Sequence, residues 1–327
     1  MSIKRRIFIG AAPALAATLG PWRAAGAQEI YPNKPIKFIA PFPPGGPLDA
    51  MARLIAPRMQ ESMGQPVVIE NIGGAGGSIG IARLSKMPGD GYSIGLGHTA
   101  TFGMAPHLFK NVGYDAVADF TPIGRICDYV NLLVVRADSP FRTTADLLAA
   151  ARAKPGTINY GSAGNGSSNH LSGVLFSMLA KANMVHIPYR GSAAAMTDLL
   201  AGTLQFMFDA PNTSLPLLRS GKLHVLGATG RTRHRLLPDV PTVGETVPGY
   251  EVIGWAGVVA PRGVPAPIQR RLSAELEKAL LAPEVGERLL GLGMDVNYSR
   301  PEELARLVRR DLALWGQVIN VAGVRIE

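Results

Sequence analysis

The sequence predicts an α/β protein of two lobes, each a mostly parallel sheet flanked by helices. Short β-rich runs alternate with helical patterns along most of the chain. Gly (38) and Pro (26) punctuate those runs instead of gathering in one tract. A unit of strand, glycine-rich turn and helix near residue 40 returns near residue 160, about one domain length later. Two such units with equivalent turns imply two lobes whose turns face a shared cleft.

In chain order, strands are read at Ile36–Ala40, Val67–Ile69, Tyr92–His98, Val130–Ala137, Ile158–Ser162, Val185–Tyr189, Leu204–Asp209, Leu223–Thr229 and Val252–Ala260. Helices fall between many of them. Thr143 and Asp146 have capping-box spacing at the head of one helix, which Pro155-Gly156 closes. Ile268, Leu272, Leu276 and Leu280 recur every four residues and so share one helical face. Ser299 and Glu302 repeat the capping-box spacing before a helix carrying Leu304, Val308, Leu312 and Trp315.

The 327 residues are 47% hydrophobic and 17% charged, enough apolar material for a substantial core. The net charge is +9, but Lys4, Arg5, Arg6 and Arg23 lie in a first stretch of 27 residues without Asp or Glu, which leaves 9 − 4 = +5 elsewhere. No later basic block exceeds short pairs and only 6% of residues are aromatic, which argues against nucleic-acid binding and leaves a mild bias toward anions. Residues 1–27 have a basic head, an apolar stretch from Ile7 to Leu19 and Ala25-Gly26-Ala27, the pattern of a cleaved signal peptide. Arg5-Arg6-Ile7-Phe8-Ile9 points to the twin-arginine route, with Lys4 where Ser or Thr is usual. The mature chain is therefore expected to start near Gln28 in the periplasm. The single Cys127 permits no intramolecular disulfide and reads as a buried small hydrophobe.

Three glycine-rich turns are candidates for chemistry. The first runs Pro41-Phe42-Pro43-Pro44-Gly45-Gly46-Pro47-Leu48-Asp49 between strand and helix. The glycines open the backbone, Pro47 suits the first helical position, and the helix N-terminus attracts a carboxylate or phosphate. Asp49 would cap its own helix while the glycine amides face the ligand. The second turn carries Ser162, Asn165, Gly166, Ser167 and Ser168, with His170 in the first helical turn after it. The third, Asn71 to Gly80, holds Gly76-Gly77-Ser78-Ile79-Gly80, a formal nucleophile elbow. Ser78 stands nine residues beyond Ile69 instead of directly after a strand, so a secreted serine hydrolase using Ser78 is the alternative reading. The dinucleotide fingerprint fails at Ile79, Asn169 and Ala100, and Gly221-Lys222 is followed by Leu223 instead of Ser or Thr. The six histidines show no zinc-ligand spacing. No catalytic residue, metal or cofactor is assigned.

Tyr31-Pro32-Asn33-Lys34-Pro35-Ile36, the first turn with Ala52-Arg53, Gly64-Gln65-Pro66-Val67-Val68 and Glu70-Asn71 open a longer set of motifs. Pro88-Gly89-Asp90-Gly91-Tyr92, Asp119-Phe120-Thr121-Pro122-Ile123, Tyr160 to Leu171, Ile187-Pro188-Tyr189-Arg190-Gly191, Leu237 to Thr242 and Pro248-Gly249-Tyr250-Glu251 complete it. In this order they resemble the substrate-binding receptors of tripartite tricarboxylate transporters, over nearly the whole chain after the signal. The resemblance implies a periplasmic-binding-protein (Venus-flytrap) fold, with lobe I at residues 28–128 and 251–327 and lobe II at 129–250. It implies no enzymatic reaction, no cofactor, a small carboxylate ligand, membrane permease subunits as partners and a monomer. It places ligand contacts at Phe42, Gly45, Gly46, Leu48, Asp49, Ser78 and Thr101 in lobe I. Those in lobe II are Ser162, Asn165, Gly166, Ser167, Ser168, His170, Gly191 and Asp209, the last orienting bridging water or a ligand amine. Pro47 and Leu48 stand where many relatives carry Ser or Thr, and Arg190 with Ala where Lys and Pro are frequent. The departures suggest a ligand with one carboxylate and an apolar or aromatic body. A receptor that signals to a membrane sensor would share the same features.

Overall fold

The computed structural model describes residues 31–323, so the expected export signal and cleavage site lie outside the described residues. The chain begins with β1 (Ile36–Ala40), α1 (Pro47–Met63), β2 (Val67–Asn71), α2 (Ser78–Ser85), β3 (Ser93–His98), a π turn at Ala100–Met104, α3 (Ala105–Leu108) and β4 (Phe120–Tyr129). It crosses through Val130 and Asn131 into β5 (Leu132–Arg136), α4 (Thr144–Ala153), β6 (Asn159–Ser162), α5 (Ser168–Ala180), β7 (Val185–Pro188), α6 (Ser192–Ala201), β8 (Phe206–Asp209), α7 (Pro211–Arg219) and β9 (Leu223–Ala228). It then returns to β10 (Gly254–Pro261), α8 (Ala266–Leu280), α9 (Pro283–Gly291), β11 (Met294–Ser299) and α10 (Pro301–Ala322). Among the described residues, no helix is long and apolar enough to cross a membrane.

The strands form two sheets, ordered β11-β4-β10-β3-β1-β2 and β7-β6-β8-β5-β9. In the first, β1 to β4 run one way and β10 and β11 the other; in the second, β5 alone opposes its neighbours. Most strands thus share a direction, but the sheets are mixed. Two of the three reversed strands have a topological cause: β5 and β10 are entered from the other lobe, and each inserts antiparallel between two residents, whereas β11 adds antiparallel to β4 at the sheet edge.

Two strands, β4 and β11, escape sequence reading. In β4, Pro122, Gly124, Arg125 and Asp128 break the apolar pattern, and its ladder with β10 shifts register twice. β11 is an edge strand with Asp295 and Asn297, whose polarity reads as loop. The Thr143–Asp146 capping box is present, with reciprocal bonds of 3.1 and 2.9 Å. The second predicted box is not: Ser299 ends β11, Arg300 is the N-cap without a side-chain bond, and Pro301 opens α10.

The first core packs β1 and α1 through Ile36, Phe38, Met51 and Ile55 against Leu272 and Leu276 of α8. Cys127 is fully buried there, and burial raises its thiol pKa, as suits a packed hydrophobe. The last helix departs from a division that gives it wholly to lobe I. Leu304 and Val308 pack with Phe102 and Trp255, whereas Trp315, Val318 and Ile319 pack with Leu171, Leu175 and Phe176 of α5. One helix therefore contributes to the cores of both lobes beside the crossing strands.

The Trp255 indole N–H donates to Asp311 of α10 at 2.6 Å, and burial raises the Asp311 carboxyl to about 6. The folded chain then binds this proton more tightly than the unfolded one. The resulting stabilisation is complete below about pH 4 and is lost as pH rises through about 6. Asp311→Asn keeps an acceptor for the indole and removes the buried charge. It is expected to be more stable than the parent by on the order of 2 kcal/mol at pH 8, with the difference closing towards pH 4 in urea titrations.

Candidate ligand-binding cleft

A cleft of about 430 Å³ opens between the two sheets. The first lobe contributes Phe42, Gly46, Leu48, Gly76, His98 and Ala100, and the second contributes Ala163, Ser167, Ser168, Asn169, Ser192 and Asn212. Tyr129 and Asn131, at the first crossing, and Leu292, Gly293 and Met294 complete the lining. Among the described residues that line it, no side chain is charged.

Positive potential comes instead from backbone. Gly46 caps α1, Ser167 caps α5, Gly191 caps α6 and Ala210 caps α7, and the first residues of all four helices reach the cleft wall. First-turn N–H groups have no intrahelical acceptor, and each helix end carries a fraction of a positive charge. Four such ends around one space favour an anion without a cationic side chain.

Within the first turn, Phe42, Gly46 and Leu48 line the cleft, but Gly45 and Asp49 do not. Gly45 has φ +89° and donates its N–H to Asp49 Oδ2 at 2.9 Å, so this amide faces the protein and not the cleft. Asp49 is 2% exposed. It also accepts from Arg53 Nε (2.9 Å) and Asn71 Nδ2 (2.8 Å), and Asn71 in turn donates to the Phe42 carbonyl (3.0 Å). Hydrogen bonding from the Arg53 guanidinium holds the Asp49 carboxyl down at about 2. Asp49 is a brace that ties turn, helix and β2 together.

The second turn is corrected in the same direction. Ser167 and Ser168 line the cleft, with the Ser167 hydroxyl accepting the His170 N–H (3.3 Å) as the cap of α5. Ser162 is fully buried, its hydroxyl engaged by the Gly164 N–H (3.0 Å) and His186 Nε2 (2.7 Å). Asn165 is exposed outside the wall, and Gly166 donates to His170 Nδ1 at 3.1 Å. His170 stacks on His186 at 3.9 Å behind the turn, and burial lowers it to about 4. Gly191 donates to the Ala163 carbonyl at 3.2 Å. These hydroxyls and glycines hold the loop's own shape.

Asp209 lies behind α7, fully buried, accepting from the Thr213 and Ser214 hydroxyls, and burial raises its carboxyl pKa. Thr101 is buried and bonds the His98 backbone, its hydroxyl donating to the carbonyl at 3.1 Å. Ser78 opens α2 after a 3₁₀ turn at Ala75–Gly77, not after a strand, and is buried. Among the described residues, the buried Ser78 hydroxyl has no hydrogen-bond partner, histidine or carboxylate included, and no three His, Cys, Asp or Glu side chains gather to hold a metal. The elbow therefore lacks its base.

Sequence reasoning missed His98, Tyr129, Asn131, Asn169, Ser192, Asn212 and the Leu292–Met294 turn. Asn131 stands inside the run read as the strand Val130–Ala137, so nothing in the sequence singled it out; its side chain donates to Ser172 Oγ at 3.3 Å and its N–H to the Thr229 hydroxyl oxygen at 2.9 Å.

The family model described as tripartite tricarboxylate transporter family receptor matches residues 51–324. A protein from the tcbD–tcbE intergenic region of Pseudomonas sp. strain P51 is 40% identical over 97% of this chain and 94% of its own. The solved periplasmic binding protein BugD is 36% identical with TM-score 0.79, covering 91% of this chain and 100% of that one. Rpa4515 of R. palustris, solved with adipate, is 34% identical with TM-score 0.82, covering 90% and 99%.

Proposed function

This chain belongs to the tripartite tricarboxylate transporter receptor family, and from that premise we propose that it clamps a small carboxylate between its lobes and delivers it to the membrane permease subunits of such a transporter. The observation that carries the reading is the convergence of four helix N-termini on an uncharged cleft. The likeness to Rpa4515, solved with adipate, supports it.

In this reading the chain works as a monomer in the periplasm after cleavage near Ala27, catalyses no reaction and needs no cofactor. Lobe I comprises residues 28–128 and 251–327 with α10 shared, and lobe II residues 129–250. Phe42, Gly46, Leu48, Ser167 and Ser168 remain as contacts from the sequence reading. Each charge-assisted hydrogen bond contributes roughly 1.5–3 kcal/mol. A micromolar ligand needs about 8 kcal/mol net, so a few such bonds and some apolar burial offset the ordering cost. Closure expels water and strengthens them. The ligand drives closure by as much as it prefers the closed state, and the closed state is the form that docks on the permease.

The apolar share of the wall fits an acid with one carboxylate and an apolar or aromatic body. A thermal-shift screen of the chain from Gln28 with benzoate, adipate and citrate tests this. At ligand near a hundredfold excess over Kd, stabilisation of about 2.7 kcal/mol raises Tm by roughly 5 °C or more. Tighter binding of citrate than of benzoate would overturn the ligand class, and no shift with any acid would overturn the carboxylate reading.

A further inference from the structure

His98 ends β3 and lines the cleft, although no motif marks it. Its residue is only 4% exposed, and its ring packs 5.0 Å from that of Phe42, also in the wall. Nδ1 accepts the Ala100 N–H at 3.2 Å. A neutral imidazole has one acceptor nitrogen and one N–H, so acceptance at Nδ1 puts the proton on Nε2. Nε2 is buried and has no hydrogen-bond partner among the described residues. A buried donor without an acceptor is costly, and native interiors seldom leave one.

We propose that the His98 Nε2–H is a ligand donor, given by lobe I to an acceptor oxygen of the acid held in the cleft. The proposal rests on the reading of this cleft as a carboxylate site. Burial lowers the imidazole to about 3, so it acts as a neutral donor and not as a cation. A fixed neutral N–H selects between ligands by hydrogen-bond sense. A carboxylate or carbonyl oxygen completes it, whereas an ammonium in the same place would set donor against donor. The site is thus specific for acids that present an oxygen to Phe42 and His98, with any amino group directed elsewhere.

The test uses whichever of benzoate, adipate and citrate binds the parent tightest. His98→Phe keeps a ring against Phe42 and removes the donor; affinity is expected to fall about 10- to 100-fold. His98→Gln restores an N–H near the Nε2 position and should stay within about fivefold of the parent. In the parent, ¹⁵N NMR should report the Nε2–H tautomer and a shift of that resonance on saturation. Parent-like affinity in His98→Phe, or an Nε2 resonance indifferent to ligand, would overturn the proposal; the resonance decides if the variant does not fold. A parent that binds none of the three acids overturns the carboxylate reading as well, whereas a binding parent with a neutral His98→Phe rejects the donor alone.

Discussion

Asp49→Ala is expected to lower stability by about 3 kcal/mol and to weaken carboxylate binding more than tenfold, although Asp49 does not reach the cleft. The buried carboxylate is the common acceptor for the Gly45 N–H, the Arg53 guanidinium and the Asn71 amide. Removing it strands the Gly45 N–H and one of the two Asn71 amide hydrogens, and loosens the turn that carries Phe42, Gly46 and Leu48 into the wall. Asp49→Asn should fall between, since it keeps the volume and one acceptor. Urea unfolding and calorimetric titration read the two effects separately. The acid limb gives an independent check. The Asp49 pKa is depressed to about 2, so its contribution is full above about pH 4 and is lost as pH falls through about 2. The Asp49→Ala variant should therefore lose less stability than the parent over that range.

Gly293→Val is expected to leave both cores folded and to reduce affinity about 100-fold by holding the lobes apart. Gly293 sits in the turn before β11 at φ +79°, where a branched residue is strained. A Cβ there would stand 2.5 Å from Cβ of Pro211, the first residue of α7 across the cleft. Both residues line the cleft, so the added side chain must part its walls. The neighbouring Arg235–Asp295 ion pair at 3.3 Å is largely exposed and contributes little. Gly293→Ala should be intermediate. Calorimetry gives the affinity, and small-angle scattering at saturating ligand should show a larger radius of gyration for the valine variant. Parent-like affinity would show that this contact does not belong to closure.

The strand–turn–helix of residues 36–63 was legible because its signals are local: an apolar run, Pro47 at the first helical position and Gly64 in the left-handed conformation past the end. β4 was not, because its place is set by pairing on both sides with β10 and β11 and not by its own alternation. The site shows the same limit. Glycines and hydroxyls mark the loops that border the cleft, yet a serine in the cleft wall and one that braces its loop look alike in sequence. Ser162 and Gly45 proved to be braces, Ser168 part of the wall. His98, Asn131 and Met294 meet only because two sheets and their crossings bring distant positions to one space, and no spacing encodes that.

In the proposed function, helix N-termini hold a carboxylate between the lobes without a cationic side chain. A crystal structure of the chain from Gln28 grown with its tightest-binding acid would decide this. The carboxylate is expected in the cleft, within hydrogen-bond distance of first-turn N–H groups of α1, α5, α6 or α7. An acid bound outside the cleft, or one whose carboxylate is neutralised by a lysine or arginine, would contradict it.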